Sequence, residues 1–158
     1  MLDANTTKEF FDLHNKTRRK NRFLVEFPKV CSIHPEWVSK FDLPGFNIKT
    51  KMPLCNMITV HLRWYFKNKE EKEQWFQEMT TSDVISLLND LNNKLEDSNE
   101  VLTFKEFNET GAVCRVVGFT KPQFINVSYS EFDYKKNEPL ELRLCIFYDK
   151  MLEKTENI

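Results

Sequence analysis

Glycine is scarce in this chain, with three residues among 158. Phosphate-binding loops need several glycines close together, because only glycine readily adopts their left-handed backbone and lets it approach a phosphate. The count therefore excludes a nucleotide-binding loop of that kind. Phenylalanine is abundant instead, at 14 residues, so we expect large side chains to fill the interior.

Long apolar segments are also missing. No run approaches the roughly 18–20 apolar residues that a helix needs to cross a bilayer. The N-terminal sequence MLDANTTKEFF lacks the basic start and apolar stretch of a signal peptide. The formal net charge of −1 provides no general attraction to nucleic acid or acidic membranes. We expect a single domain over residues 1–158, made in the cytoplasm, with no stable membrane association.

Paired metal ligands and catalytic motifs are absent as well. The four cysteines stand far apart and form no C-x-x-C pair, so we expect reduced structural thiols instead of a zinc site. The three histidines lie in unrelated contexts, and no H-E-x-x-H or G-x-S-x-G motif occurs. His61 alternates with polar residues on a strand face. The sequence thus predicts no catalytic, cofactor-binding or metal site, and no enzyme.

The positive charge near the N-terminus is concentrated in one short cluster. Two interpretations remain open for it: a phosphate contact, or a solvated segment that faces an acidic partner surface. The balanced charge of the whole chain favours the second. The cluster consists of Lys16, Arg18, Arg19, Lys20 and Arg22.

Strict alternation of apolar and polar residues dominates the last third of the chain, Gly118–Lys150, and indicates two strands that each bury one face. The first strand places Ile125, Val127 and Tyr129 opposite Phe124, Asn126, Ser128 and Ser130. The second places Leu140, Leu142, Leu144, Ile146 and Tyr148 opposite Glu141, Arg143, Cys145 and Phe147. The charged connection Glu131–Pro139 predicts an antiparallel pair with a projecting loop.

The remaining segments predict a mainly β (α+β) protein, an antiparallel β-sandwich or barrel-like fold with an N-terminal arm over residues 1–21 and a central helical insertion over residues 67–99. A capping box at Thr6 predicts an arm helix over Thr7–Lys16. Further strands are predicted at Arg22–Phe27, Phe46–Thr50, Met57–Phe66, Val101–Phe107 and Val113–Phe119. The insertion combines a charged helical segment, Lys67–Glu73, with a helix that starts near Ser82 and carries the stripe Val84, Leu88, Leu91 and Leu95. A helical turn is predicted at Ser32–Val38 and a frayed tail at Glu153–Ile158.

Four motifs follow one another in a fixed order along the chain. They are Asn21–Phe27 after the arm, the corner Leu43-Pro44-Gly45, the strand Ile58–Phe66 followed by Trp75-Phe76, and Val117-Gly118-Phe119-Thr120-Lys121-Pro122 before two long strands that end at Tyr148-Asp149. In this order the chain resembles the tail tube proteins of contractile-tailed bacteriophages, which are related to the tube proteins of type VI secretion.

The resemblance implies a tail-tube fold whose copies form hexameric rings that stack into a conduit for DNA and tape-measure protein. It implies partners in sheath, baseplate and tape-measure proteins, transient non-specific DNA passage, and a place in the virion tail after assembly in the host cytoplasm. The insertion is longer than a tube subunit needs, so a baseplate tube-initiator, a tube-terminating ring or a secretion-system tube protein stays open. From another class, a small-molecule-binding β-barrel or an unrecognised enzyme also stays open.

The same resemblance suggests which residues take part in assembly. The candidate ring-stacking arm comprises Phe10, Phe11, Arg18, Arg19 and Arg22. The candidate inter-subunit or lumen face comprises Phe124, Asn126, Ser128, Ser130, Glu141, Arg143 and Phe147. The loops Glu131–Pro139 and Met52–Met57 are further stacking candidates. A register shift of one residue would invert the two strand faces, and the two phenylalanines indicate that another subunit covers part of this face.

Overall fold

Two four-stranded antiparallel sheets dominate the structure, a computed structural model that describes residues 18–63, 66–69, 72–75 and 79–155. The first sheet has the spatial order β1 (Phe23–Glu26), β6 (Leu102–Phe107), β7 (Val113–Phe119) and β10 (Met151–Thr155). The second sheet has the order β2 (Val38–Asp42), β3 (Met57–Leu62), β9 (Leu142–Phe147) and β8 (Gln123–Tyr129). A separate antiparallel pair consists of β4 (Phe66–Lys69) and β5 (Lys72–Trp75), and helix α1 spans Thr81–Glu96. The predicted mainly β fold is confirmed.

One hydrophobic cluster joins the two sheets and the helix. The first sheet contributes Val25, Leu102, Phe104, Val117 and Phe119, and the second contributes Ile58, Val60, Leu62, Leu142, Leu144 and Ile146. The ring of Phe41 on β2 stacks on Phe104 at 5.0 Å between centroids and lies 6.0 Å from Phe119. Each fully buried Leu, Ile or Phe side chain stabilises the fold by roughly 1.5–3 kcal/mol.

Helix α1 begins one residue earlier than its sequence indicates. The Oγ1 of Thr80 accepts a hydrogen bond from the backbone N–H of Asp83 at 3.1 Å, so Thr80 is the N-cap and the helix begins at Thr81. The predicted stripe is confirmed, since Val84, Leu88, Leu91 and Leu95 are all buried in the core cluster. The helix packs against β8 and a short 3-10 turn at Lys29–Cys31.

The prediction for the first half of the helical insertion is wrong. Residues Phe66–Lys69 and Lys72–Trp75 form the antiparallel strands β4 and β5, where a charged helix was expected. Lys and Glu favour helices only weakly, by a few tenths of a kcal/mol per residue, and backbone pairing with a neighbouring segment overrides such a preference. The insertion is therefore a strand pair followed by one helix.

Several predicted strands end or begin elsewhere. The strand expected over Met57–Phe66 ends at Leu62. Phe46–Thr50 is a turn with a single bridge from Phe46 to Pro53, because the side chain of Asn47 turns the backbone back on itself.

Two edge strands were not predicted at all. The 3-10 turn Pro35–Trp37 leads into β2, which pairs with β3. The tail expected to fray from Glu153 instead forms β10, which pairs with β7 over Met151–Thr155. In both cases hydrogen bonds to a strand that is distant in sequence satisfy the backbone N–H and C=O groups. Local sequence patterns do not reveal such a pairing.

A β-bulge changes the faces of β8. The predicted antiparallel pairing with β9 is confirmed, but Phe124 lies opposite Ile146 while Asn126 lies opposite Cys145, so Ile125 is an extra residue. Phe124 therefore shares the inner face with Val127 and is 7% exposed, whereas Ile125 is 53% exposed. The prediction that Phe124 shares a face with Asn126 is wrong, since strict alternation does not account for an inserted residue.

The four cysteines are free, as their spacing predicts. Cys31 is buried, and burial raises the pKa of its thiol to about 12. Among the described residues, no helix has the length and apolar character required to cross a membrane.

Candidate functional site

The outward face of the second sheet carries most of the candidate inter-subunit or lumen face. We call its polar members the polar row: Asn126, Ser128, Ser130, Glu141 and Arg143. Ser128 lies opposite Arg143 and Asn126 opposite Cys145, and these alternate with core residues along β8 and β9. Asn126, Ser128 and Arg143 are exposed. Neither the helix nor the first sheet covers this face in the described parts of the chain, so a sheet surface of mainly polar character remains open.

Ser130 and Glu141 extend this row just beyond the strand ends. The N–H of Ser130 donates to the carbonyl of Glu141 at 2.9 Å, and the N–H of Glu141 donates to the Oγ of Ser130 at 2.9 Å. These two bonds close the base of the loop over residues 131–140. The sequence placed both residues on the polar face, but their mutual pairing depends on the register of β8 and β9.

His61 is buried although it belongs to the outward face. It lies opposite Arg143, and its Nδ1 is 3.2 Å from the Oε2 of Glu141. The loop over residues 131–140 and Lys40 line a hollow of about 540 Å³ with this pair. The alternation placed His61 on the outward face of its own strand correctly, yet nothing in the sequence indicated that Glu141 is its partner.

The loop from Leu43 to Asn56, between β2 and β3, exposes an unusual amount of apolar surface. Ile48 is 93% exposed and Leu54 is 68% exposed, and Phe46 and Met52 are exposed beside them. Soluble proteins rarely leave several large apolar side chains together in water unless another surface covers them. The loop therefore has the character of a contact surface.

Backbone hydrogen bonds hold this loop in one conformation. Leu54 N–H donates to the carbonyl of Gly45 at 2.7 Å, and Asn47 N–H donates to that of Met52 at 2.9 Å. The Oδ1 of Asn47 also accepts from the N–H groups of Lys49 and Thr50 at 2.9 and 3.0 Å. An ordered loop has less conformational entropy to lose when a partner covers it.

The loop continues into an apolar end of the second sheet. Met57 begins β3 immediately after the loop and lies opposite Phe147 in β9. Met57 is 42% and Phe147 43% exposed, both on the outward face. We call Phe46, Ile48, Met52, Leu54, Met57 and Phe147 the apolar end. An exposed phenylalanine does not suit the wall of a water-filled lumen. Phe147 instead belongs to this apolar end, and the polar row lies further along the sheet.

A basic cleft of about 780 Å³ opens between the two sheets, at the edge formed by β2. Its floor contains Phe41, Phe104 and the buried Glu106. Arg18 donates two hydrogen bonds to the Glu106 carboxylate, from Nε to Oε2 and from Nη2 to Oε1, both at 2.6 Å. Arg115 lies 3.5 Å from the same carboxylate and also donates to Glu153. The cleft thus contains a buried acid held by two arginines.

Hydrogen bonding determines the charge state of this cluster. The two bonds from Arg18 lower the pKa of the Glu106 carboxyl, although burial acts in the opposite direction. The same bonds raise the pKa of Arg18. The carboxylate form is favoured because two donors replace the water that burial removes.

The predicted stacking arm is only partly within the described residues. Phe10, Phe11 and the arm helix over Thr7–Lys16 lie outside them. Arg19 and Arg22 line the basic cleft beside Arg18. The sequence identified the basic cluster but not Glu106, whose position in an alternating strand is indistinguishable from that of a solvated glutamate.

The described chain contains no cluster of potential metal ligands. Within residues 18–63, 66–69, 72–75 and 79–155, no group of three or more His, Cys, Asp or Glu side chains lies close enough to hold a metal ion. The candidate site is therefore a set of surfaces: the polar row, the apolar end and the basic cleft.

Comparison with known proteins finds no matching family model and no matching curated sequence. Solved structures do match. A chain of the anti-feeding prophage tube-terminating cap is 13% identical, with a TM-score of 0.49, over 89% of this chain and 92% of that one. A chain of the sheath-tube complex of an extracellular contractile injection system, PVC, is 11% identical, with a TM-score of 0.48, over 99% and 100%.

A third similar structure is Hcp1 from Flavobacterium johnsoniae, at 12% identity and a TM-score of 0.38, over 75% of this chain and 86% of that one. At these identities and TM-scores the likeness is distant.

Proposed function

We propose that this chain is a structural subunit of a tail tube, in which six copies close into a ring and rings stack into a conduit. The observation that carries the proposal is the apolar end. Ile48 and Leu54 project from a loop with an ordered backbone, next to Met57 and Phe147 on an open sheet face. Such a surface is unfavourable in water and favourable when a second copy covers it.

The polar row supports the same arrangement. Asn126 and Ser128 are uncharged, and Arg143 is the cation opposite Ser128. A wall along which nucleic acid slides must not bind it tightly, and phosphate contacts by clustered Lys and Arg would do so. With the apolar end covered by the next copy, the polar row is left for the lumen.

Ring closure also accounts for the open strand edges. The edge strands are β1 and β10 in the first sheet and β2 and β8 in the second, and helix α1 bonds to the backbone of β8. Unpaired edges promote uncontrolled association unless they are paired or covered. A ring makes head-to-tail contacts that use two different surfaces of each copy, and it closes without leaving an edge.

The partners that fit this role are further copies of the chain, together with sheath, baseplate and tape-measure proteins. DNA passage through the lumen is transient and not sequence-specific. The place of action is the tail of a virion assembled in the host cytoplasm; the tube of a secretion system is the alternative setting. The collinear motifs of the sequence support these assignments, and the subunit is not an enzyme.

A second candidate is a ring at one end of the tube, at the baseplate or at the terminus. The β4–β5 pair favours it, because this pair is separate from both main sheets. A tube subunit needs no such addition, whereas an end ring has a second type of neighbour to contact.

Electron microscopy of the purified protein tests the proposal. We expect rings and stacked tubes from the unaltered chain, discrete rings if it is an end ring, and monomers if both candidates are wrong. The double substitution Ile48→Asp with Leu54→Asp should abolish assembly and leave the circular dichroism spectrum unchanged. Ile85→Asp, on the exposed side of helix α1, is the matched control and should assemble normally.

A further inference from the structure

The basic cleft combines a positively charged rim with an aromatic floor. Its lining includes six cationic side chains against two acidic ones, and three phenylalanines. Lys20 and Lys40 are exposed at its rim, whereas Arg18 is already bonded to Glu106 at the floor. A cleft of this composition suits an occupant with both acidic and aromatic side chains.

The chain itself presents such a group at the loop between β8 and β9. Glu131, Phe132, Asp133 and Tyr134 are consecutive, and Phe132 is 84% exposed while Tyr134 is fully exposed. We call these four residues the acidic-aromatic tip. Phe132 and Tyr134 are the most exposed aromatic side chains among the described residues, and they alternate with the two acids.

Hydrogen bonds order the backbone that carries the acidic-aromatic tip. The Oδ1 of Asp133 accepts a hydrogen bond from the backbone N–H of Lys135 at 2.9 Å. The backbone carbonyl of Asp133 accepts one from the backbone N–H of Lys136 at 3.2 Å. The Ser130–Glu141 pair closes the loop base. The tip is thus held in a turn that presents its side chains outward.

We propose that the acidic-aromatic tip of one copy docks in the basic cleft of the neighbouring copy. The proposal rests on the proposed function in one respect, since it needs copies placed side by side. Phe132 and Tyr134 would lie on the floor beside Phe41 and Phe104, and Glu131 and Asp133 would pair with the rim. Buried aromatic anchors provide most of the affinity of such contacts, and rim charges fix their register.

Within one copy the acidic-aromatic tip does not fill the cleft, since Phe132 and Tyr134 remain exposed. The loop over residues 131–139 lies by the outward hollow of the second sheet, together with His61 and Arg143. Lys40 lines both this hollow and the cleft, but the lining of the cleft includes no residue of the loop. Two different surfaces that complement each other produce a head-to-tail contact, which closes into a ring or continues along a stack.

Single-stranded nucleic acid is the other class of ligand that basic and aromatic side chains bind. Asp42 and Glu106 line the cleft as well, and they oppose a phosphate chain and an acidic peptide alike, so competition with oligo-dT has to separate the two. An acidic protein surface also agrees with one of the two interpretations of the N-terminal basic cluster.

A peptide-binding measurement tests the docking directly. The probe is a fluorescein-labelled peptide of residues 130–141, and fluorescence anisotropy reports its binding to the full chain at low salt. The acceptor carries Phe132→Ala and Tyr134→Ala, so that its own tips do not compete. We expect saturable binding that Lys20→Glu with Lys40→Glu weakens by about tenfold, since each exposed ion pair accounts for up to about fivefold. Lys49→Glu, outside the cleft, is the matched control and should bind normally.

Charge exchange and competition make the test specific. A peptide with Glu131→Lys and Asp133→Lys should bind the Lys20→Glu, Lys40→Glu acceptor better than the original peptide does. No binding, equal weakening by Lys49→Glu, or displacement of the peptide by a tenfold lower concentration of a ten-nucleotide oligo-dT would each overturn the docking. Binding that appears only after removal of residues 1–17 would also overturn it, because the chain's own arm would then be the occupant.

The two proposals fail in different ways. Rings in the microscope without peptide binding would leave the tube function intact and disprove the docking. Peptide binding to a protein that associates only into open chains, without rings, would support the docking and disprove the tube.

Discussion

Asn92 binds the backbone of Phe124 on both of its polar groups. The Nδ2 of Asn92 donates to the Phe124 carbonyl at 2.9 Å, and its Oδ1 accepts from the Phe124 N–H at 2.8 Å. Phe124 lies on β8, an edge of the second sheet, next to the bulge at Ile125. A side-chain amide of helix α1 therefore takes the place of a neighbouring strand and protects this edge from pairing with another chain.

Replacement of Asn92 by alanine should destabilise the subunit by about 1–3 kcal/mol, because two backbone groups of an edge strand lose their partner. Urea unfolding followed by circular dichroism measures the change. Asn93→Ala, at the exposed neighbouring position, should alter the free energy of unfolding by less than about 0.5 kcal/mol. Equal effects of the two substitutions would contradict the role of Asn92.

The bulge in β8 leads to opposite expectations for two adjacent residues. Phe124→Ala should lower the free energy of unfolding by about 3–5 kcal/mol because it leaves a cavity in the core. The ring that is lost stacks on Phe27, with the two centroids 6.4 Å apart. Ile125→Ala should change stability by less than about 0.5 kcal/mol because the side chain is mostly exposed. Thermal and urea unfolding both report the difference. A larger loss from Ile125→Ala would mean that β8 alternates without a bulge.

Removing the charge of Glu106, the buried acid of the cleft, should lower the stability of the fold moderately. Glu106→Gln should lower the free energy of unfolding by about 1–2 kcal/mol at neutral pH. The loss stays moderate because Arg18, whose side chain is 71% exposed, can turn to water, and Arg115 keeps Glu153. Glu109→Gln, in the exposed turn between β6 and β7, serves as control and should be neutral in the same unfolding assay.

The same residue should make stability depend on pH in acid. The folded pKa of Glu106 is depressed by the Arg18 hydrogen bonds, so its contribution is fully present above the unfolded pKa of about 4.3. It is lost as the pH falls through the folded pKa. Unfolding measured from pH 7 to pH 2 should therefore show a wild-type advantage over Glu106→Gln that disappears at the acid end. An advantage that grows as the pH falls would exclude this account.

Local patterns in the sequence were sufficient to predict the mainly β fold and the strands whose apolar and polar residues alternate most regularly. The alternation of Leu142, Leu144 and Ile146 requires one buried face whatever the strand's partners are. The stripe on helix α1 follows in the same way from a period of 3.6 residues. The polar row of β9 was predicted for the same reason, since side chains on a strand must alternate.

Patterns of this kind failed where a distant segment decides the local conformation. The charged residues of β4 and β5 favour a helix locally, and β10 has no alternation that distinguishes it from a loose tail. Both are strands because another segment satisfies their backbone hydrogen bonds. The face of Phe124 depends likewise on its register with β9 and on the amide of Asn92.

The sequence alone determined the class of fold, the inner faces of its regular strands and the order of motifs that resembles a tail tube. Which surfaces are available to a partner depends instead on the tertiary structure. Arg18 and Glu106 are 88 residues apart in sequence, Met57 pairs with Phe147 across two strands, and the basic cleft opens between separate sheets. Periodicity is a property of neighbouring residues, whereas a cleft, an ion pair or an apolar end arises from segments that only folding brings together.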